Sequence, residues 1–444
     1  MMQYPLSSHL PGDVIAHRLG ETITAGQFHQ EAVDLAGVLP ASSFIINTCQ
    51  DRYLFMLGFA AAALAGKTTL MPSSFAPNTI SQLQSRYPDL LCLHDGRDLA
   101  HGLPDLKISA RSSAELRSAP APLIDAEQVV SIVFTSGSTG EPTAHAKRWG
   151  LLCLNGASES ERLGARGMAI VATVPPQHMY GFESSVLLTL HGGSSMWHGK
   201  PFYPADITEA LDATPRPRML VTTPFHLSTL MAAGLPLPPC DTVLSATAPL
   251  ALPLAQRAEG ALKAPLLEIY GCTESGQVAS RRPSEDAAWQ LLAGVQMDTD
   301  TEGAWVFGGH VEGRVLLSDY IETQSAGRFI LLGRHEDMVN IAGKRTSISH
   351  LNAQLQTIPG VLDGCFLQPD AAAAGSGDGE GVQRLAALVV APSLSVESIL
   401  EQLRVRVDAV FLPRPVLRVE TLPRNATGKL VRSELLALYA TLRS

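Results

Sequence analysis

The sequence is short of cysteine, of aromatic rings and of positive charge, and it has no long apolar run. Its six cysteines (49, 92, 153, 240, 272 and 365) lie far apart, with no CxxC pair and no Cys/His cluster. Neither a zinc site nor a disulfide framework is expected from such spacing. Lysine and arginine number 33 against 42 Asp+Glu, a net charge of −9. A protein of that balance has no general basic field, so neither nucleic acid nor an anionic membrane is expected as a partner. The most apolar stretch, 53–65 (YLFMLGFAAAALA), lies between Arg52 and Lys67. It falls short of the ~20 residues a spanning helix requires and is expected to be a buried helix. The first fourteen residues, MMQYPLSSHLPGDV, have no basic stretch followed by an apolar core. A secretory leader is therefore not expected, and a cytoplasmic protein with reduced thiols is.

What is present is a globular composition, 45% hydrophobic over 444 residues. At roughly 150 residues per domain that length fits two or three domains. Repeatedly, a short apolar run leads into a small polar loop and then a helical pattern. Runs 129–134 (VVSIVF), 168–174 (MAIVATV), 219–221, 242–244 and 266–269 all behave this way. Their loops are TSGSTGEPTA, PPQHMYGFE, TTPFHL, SATAPL and YGCTESG. Wholly apolar strands alternating with helices read as an α/β fold, a doubly wound and mostly parallel sheet covered on both faces. Ligands bind such sheets at the carboxyl ends of the strands, where every one of these loops falls. Short strands with turns are expected over 303–333. After that the texture changes: a helix is expected over 349–356, a solvated connection over 371–381 (AAAAGSGDGEG), and another helix over 396–410. These features divide the chain into a large domain, 1–336, and a small α+β domain, 337–444.

Two loops have the chemistry for a phosphate. Thr135, Ser136, Gly137, Ser138, Thr139 and Gly140 offer hydroxyls and free backbone N–H groups after a strand. The loop is not of the GxxxxGK[ST] type, since Pro142 stands at the second glycine, and no GxSxG exists for a nucleophile elbow. A plain Gly/Ser turn explains such a run equally well. In 270–276 (YGCTESG), Thr273 and Glu274 pair a hydroxyl with a carboxylate, suited to a phosphate oxygen and to Mg2+ respectively. A helix cap is the plainer reading of that pair. Tyr270 offers a ring for a base to stack on. Nothing near Cys272 in the sequence would activate its thiol, so it is read as a lining residue.

Taken together, the stretches 134–147 (FTSGSTGEPTAHAK), 174–183 (VPPQHMYGFE), 245–250 (SATAPL), 270–276 (YGCTESG), Asp319, 333–345 (GRHEDMVNIAGKR) and 422–430 (LPRNATGKL) resemble, in this order, the adenylate-forming superfamily. That superfamily comprises acyl- and aryl-CoA synthetases, peptide-synthetase adenylation domains and luciferases. The resemblance implies ATP and Mg2+ as cofactors. A carboxylate attacks the α-phosphate of ATP, pyrophosphate leaves, and a thiol then attacks the acyl-adenylate. By the same resemblance, 135–140 wrap the phosphates. Thr247, Ala248 and Pro249 line the adenine with Tyr270, Gly271 and Cys272 opposite, and Glu268 meets its amine. Asp319 takes the ribose hydroxyls, Arg334 supports ribose or phosphate, Thr273 contacts phosphate and Glu274 holds Mg2+. Lys429 bridges the acid and the α-phosphate. Its small domain swings about a hinge at Glu336, because a water-sensitive adenylate demands closure and the two half-reactions need different groups. His178, Tyr180, Gly181, Thr222, Phe225, Ser245 and Ala246 are expected to line the acid pocket.

The sequence departs from the family pattern in three places. Thr143 stands where the family has a lysine after the proline of the phosphate loop, and Lys147 is the candidate to supply that charge. Ala246 and Thr247 replace glycines, which should narrow the pocket floor. The N-terminal region is compact. With 47–52 (NTCQDR) and TSGSTGEPxxxxK, it is similar to ligases of aryl-polyene and xanthomonadin-type pigment pathways, which implies an acyl carrier protein as thiol acceptor. Coenzyme A is the alternative acceptor, and a catalytically silent adenylate-binding scaffold is the reading from another class. Arg404, Arg406, Arg414 and Arg418 offer a basic face to an acidic carrier, or only a solvated one.

Overall fold

The computed structural model describes residues 2–72, 74–97, 102–136, 142–334, 338–341, 344–369, 384–424, 428 and 430–443. Two large sheets dominate. A six-stranded sheet runs in the order Pro142–Arg148, Val129–Ser136, Thr68–Met71, Phe44–Asn47, Leu90–His94, Asp105–Lys107. All neighbours are parallel except the first two, which form an antiparallel hairpin. An eleven-stranded sheet has a parallel centre: Leu266–Cys272, Thr242–Ser245, Arg218–Thr222, Ala169–Ala172, Ser195–Trp197 and Val14–Arg18. Antiparallel strands flank that centre on both sides. The α/β, largely parallel architecture is the expected one, and the apolar runs found in the sequence are its buried strands.

Helices Ala25–Val38, Arg52–Leu64 and Trp149–Leu163 pack between the sheets. Their apolar cluster takes Ile15 and Ile23 from one sheet and Met71, Val130 and Val133 from the other. The stretch read as a buried helix is Arg52–Leu64, started by Asp51, whose carboxylate accepts from Leu54 N. Among the described residues, no helix is long and apolar enough to cross a membrane. Phe182 meets Phe59 edge-to-face at 4.9 Å between ring centroids. Truncating a ring so buried typically costs about 3–5 kcal/mol.

Buried Arg52 performs an organising task. Its guanidinium donates to the carbonyls of Ala172 (2.9 Å) and Val174 (2.7 Å) and to Ser185 Oγ (2.7 Å). Burial lowers its pKa to about 10. These bonds tie the carboxyl end of Ala169–Ala172 to the helix that follows it. That helix, 179–192, is π-helical over Phe182–Leu187.

One expected feature differs. The phosphate loop was expected to lead directly to a helix near Arg148. Instead the chain returns first as strand Pro142–Arg148, and only then starts helix Trp149–Leu163. The cause is a period-two pattern in PTAHAKR, with small Ala144 and Ala146 alternating with Thr143, His145 and Lys147.

Toward the C-terminus the antiparallel strands Asp363–Leu367 and Ala386–Val390 are joined by the parallel strand Val416–Arg418. Helices Ile348–Gln356 and Val396–Arg404 cover them; the first matches the expected 349–356, and the second starts where expected but ends at Arg404 rather than 410. The apolar clusters here draw only on residues from 339 onward. The connection expected at 371–381 lies outside the described residues.

Candidate active site

The parallel strands of the large sheet end together, and their loops meet the hairpin of the smaller sheet. In that hairpin Thr143 faces Thr135 and His145 faces Val133. Ser136 is at the strand end, and Gly137, Ser138, Thr139 and Gly140 lie outside the described residues. The His145 ring, unremarked in the sequence, is central here. Its Nε2 is 2.9 Å from Thr135 Oγ1 and 3.6 Å from Glu274 Oε1. Burial lowers the pKa of His145 while the nearby carboxylate of Glu274 raises it. Strand alternation would have found His145, because it shares a face with Thr143 and Lys147.

Lys147 reaches across to the second loop. Its ammonium donates to the carbonyl of Thr273 and, at 3.1 Å, to that of Glu274. It braces this loop from below. Burial lowers the Lys147 pKa, and Glu183 leads the surrounding acidic groups that raise it. The loop itself is the turn between strands Leu266–Cys272 and Gly276–Arg281. A Cβ on Gly271 would stand 2.1 Å from Gly276 O, so the turn closes only with glycine there. Cys272 packs inward, its Sγ 3.2 Å from Ser275 Oγ, and burial pushes its pKa up to about 11. Burial thus disfavours the thiolate that a nucleophile needs. The side chain of Glu274 is 43% exposed.

Below the loop lies a buried polar cluster that the sequence reading missed. Glu183 accepts from Asn155 Nδ2 at 2.9 Å and from Gln277 N at 3.2 Å. Burial raises its pKa to about 7, against the pull of Lys147. Glu159, wholly buried, is raised to about 8. The Gln277 amide sits between Glu159 and Ser184; with its nitrogen toward Glu159 it donates to both carboxylate oxygens at 3.1 Å. His310 Nε2 completes the ring by donating to Gln277 O at 2.7 Å.

On the other flank of the turn, the Tyr270 hydroxyl donates to Asp319 Oδ2 at 2.7 Å. Asp319 and Arg334 are register partners on adjacent strands. Three residues expected at the nucleoside are thus brought together by the sheet. Trp289 and Phe329 hold the Tyr270 ring at 5.6 and 5.9 Å between centroids. Glu268 is placed differently from its expected adenine contact. Its carboxylate is 4% exposed and ion-paired with Arg281 at 2.6 Å. Thr247, between Ala246 and Ala248–Pro249, has φ +80. That is the left-handed region, natural for the glycine the family pattern carries and strained for a β-branched residue.

The acid-pocket candidates cluster at the ends of strands Arg218–Thr222 and Thr242–Ser245. Tyr180 is buried, its hydroxyl shared between the carbonyls of Thr222 (3.0 Å) and Leu244 (3.1 Å). Its ring therefore packs a wall, and the hydroxyl is spent on the sheet. Gly181 lets the helix start pass Pro175, whose carbonyl would lie 2.0 Å from a Cβ. His178 precedes that start and is half-buried. Ser245 Oγ is buried with no hydrogen-bond partner among the described residues. Phe225, 37% exposed, closes the group. The C-terminal loop arrives on it: Arg424 lies 5.6 Å above the Phe225 ring, donates to Gly428 O at 2.6 Å and is doubly held by Asp363. Lys429 and Glu336 lie outside the described residues.

Comparison with known proteins agrees with this geometry. A family model described as AMP-binding enzyme matches residues 10–302. A protein of Halorhodospira halophila named 4-coumarate–CoA ligase is 31% identical over 74% of this chain and 82% of its own. One of Mycobacterium tuberculosis named probable 2-succinylbenzoate–CoA ligase is 25% identical over 71% of this chain and 85% of its own. In fold, the chain superposes on ATP-bound MatB from Rhodopseudomonas palustris with a TM-score of 0.81, at 18% identity and with 98% and 97% of the two chains covered. O-succinylbenzoate coenzyme A synthetase from Bacillus subtilis, in complex with AMP, gives 0.78 at 16% identity, with 98% of each chain covered.

Proposed function

Because the chain belongs to the AMP-binding enzyme family, we propose that it is an AMP-forming ligase that joins a carboxylic acid to a phosphopantetheine thiol. In the first step a carboxylate oxygen attacks the α-phosphorus of ATP and the bond to pyrophosphate breaks. In the second the thiol sulfur attacks the acyl carbon, AMP leaves, and the thiol proton passes to solvent. The observation that carries this reading is the meeting of the hairpin 129–148 with the loop 273–276, beside the Tyr270–Asp319 pair.

The roles follow from the chemistry of each group. Thr135 and the 136–140 loop receive the leaving phosphates through hydroxyls and backbone N–H groups. Thr273 adds a hydroxyl there. Tyr270 presents its ring to the base, and its hydroxyl orients Asp319 toward the ribose. A partly exposed carboxylate at Glu274 fits Mg2+, an ion bound through one or two protein carboxylates with phosphates and water filling the rest. Mg2+ bound there supplies charge neutralisation to the phosphates. Lys429, next in the sequence to Gly428, is the group we assign to stabilising charge at the α-phosphate. We place the small domain at 337–444 with Glu336 as its hinge, so that Lys429 serves the first step and withdraws for the second.

For the acceptor, the names of the relatives favour coenzyme A and an aromatic acid. The carrier-protein reading rests on the similarity to pigment-pathway ligases and on exposed Arg404, Arg414 and Arg418. The test is acid-dependent pyrophosphate release with 4-hydroxybenzoate, cinnamate and a fatty acid, repeated with coenzyme A and with a holo-carrier protein. Release with at least one acid, and thioester with one of the two thiols, is expected. No release with any acid would refute the ligase reading.

A further inference from the structure

We propose that Glu183 is a positioning residue that sets the phosphate-binding loop 273–276 through Lys147 and the backbone of Gln277. The inference rests on the adenylation reading and deepens it. Glu183 belongs to the π-helical stretch Phe182–Leu187, a local widening that recurs at functional sites. It is 2% exposed, and Ser184 and Ser185 beside it are fully buried. A carboxylate so placed is costly unless it is paired and hydrogen-bonded.

Apart from one bond from the helix Trp149–Leu163, the groups that compensate it belong to the loop or reach it. Gln277 N, the first amide past the loop, donates to it at 3.2 Å. Gly276 passes so close that a Cβ there would stand 2.7 Å from Glu183 Oε1, and Gly276 has φ +72. Both steric contact and conformation therefore require glycine. The nearby cation is Lys147, whose ammonium is spent on the carbonyls of Thr273 and Glu274. Asn155 fixes the carboxylate from the helix side at 2.9 Å, and His310 fixes the far side of the Gln277 peptide at 2.7 Å.

The loop backbone is thus held from beneath by one carboxylate and one ammonium that also attract each other. The hydroxyl of Thr273 and the carboxylate of Glu274 are the groups this frame presents. The cavity beside Glu183, lined also by Lys147, Asn155, Glu274, Gly276 and His310, measures about 20 Å³. That is room for little more than a water molecule, so Glu183 is placed to act through its neighbours. Preorganised donors lose rate when their frame loosens, which separates this role from general stability.

The test is Glu183→Gln, which keeps the size and an acceptor oxygen but removes the charge facing Lys147. Two readouts are taken. In the ligand-free protein, amide hydrogen exchange over 272–277 is expected to quicken several-fold while the rest of the chain keeps its pattern. In kinetics, kcat for pyrophosphate release is expected to fall on the order of 10- to 100-fold, with the acid KM and thiol transfer from preformed acyl-adenylate within about twofold. Lys147→Gln should reproduce both effects, and the double variant should be no worse than the poorer single one. Should Glu183→Gln fail to fold, Lys147→Gln carries the same two readouts. Wild-type exchange over 272–277 in these variants, or equal slowing of both half-reactions, would overturn the proposal. A wild-type protein that forms no acyl-adenylate would refute the adenylation reading, and the exchange comparison would still judge Glu183.

Discussion

Gly428 rests on Phe225: a Cβ at Gly428 would stand only 2.9 Å from the Phe225 Cβ, and Gly428 has φ +76. Gly428 and Arg424 therefore both sit against Phe225, an expected acid-pocket residue. Gly428→Ala would meet both a forbidden conformation and that contact. It is expected to lower pyrophosphate exchange by roughly tenfold or more, since small misplacements of a catalytic group are that costly. The melting temperature should fall little, because Gly428 adds no side chain to the apolar cluster that takes Leu422 and Leu430. Unchanged exchange would show that the Phe225 contact does not seat the tail.

The Tyr270–Asp319 hydrogen bond leads to a second expectation. A bond to a charged acceptor contributes about 1.5–3 kcal/mol, and 1.4 kcal/mol is tenfold in binding. Tyr270→Phe keeps the ring between Trp289 and Phe329 and loses only the bond. The KM for ATP should rise about tenfold while kcat and the acid KM hold. A fall in kcat at constant KM would place Asp319 elsewhere than at the ribose.

Thr247 at φ +80 stores strain, of order 1–3 kcal/mol for such a residue. Thr247→Gly is expected to raise the urea midpoint of unfolding while widening the range of acids accepted, read from the same acid panel. A lower midpoint would mean that contacts of the threonine outweigh its backbone conformation.

These expectations also separate what was legible in the sequence from what was not. The parallel strands and their loops were legible because wholly apolar runs ending in polar loops have few other readings. Tyr270 was expected at a base from its ring alone and Asp319 at the ribose only through the resemblance; their pairing had no sequence signal, since 49 positions separate them and the sheet alone joins them. The return strand Pro142–Arg148 was overlooked because its alternation is among small and polar residues, with no β-branched run to mark it. Glu183 closes the motif stretch 174–183 but had no role read from it, and Glu159, Gln277 and His310 had no signal: each is an ordinary polar residue, and their burial together is a property of tertiary packing.

Buried Glu159 sets a pH dependence. Burial raises its pKa from 4.5 to about 8. Between those values the unfolded chain has released the proton and the folded chain keeps it, so this group's contribution to stability falls as pH rises from about 4.5 to about 8. Glu159→Gln lacks the proton and should gain on wild type across that window, followed by urea unfolding at several pH values. A difference that does not change with pH would mean Glu159 is ionised in the folded protein.

The most direct measurement compares the two half-reactions in wild type and Lys429→Ala: exchange of labelled pyrophosphate into ATP, and thiol transfer from preformed acyl-adenylate. Exchange should fall on the order of 10²- to 10³-fold in the variant while transfer stays within a few-fold. Equal losses in the two steps, or a wild-type protein that exchanges pyrophosphate with none of the acids, would contradict adenylation assisted by a lysine from the tail.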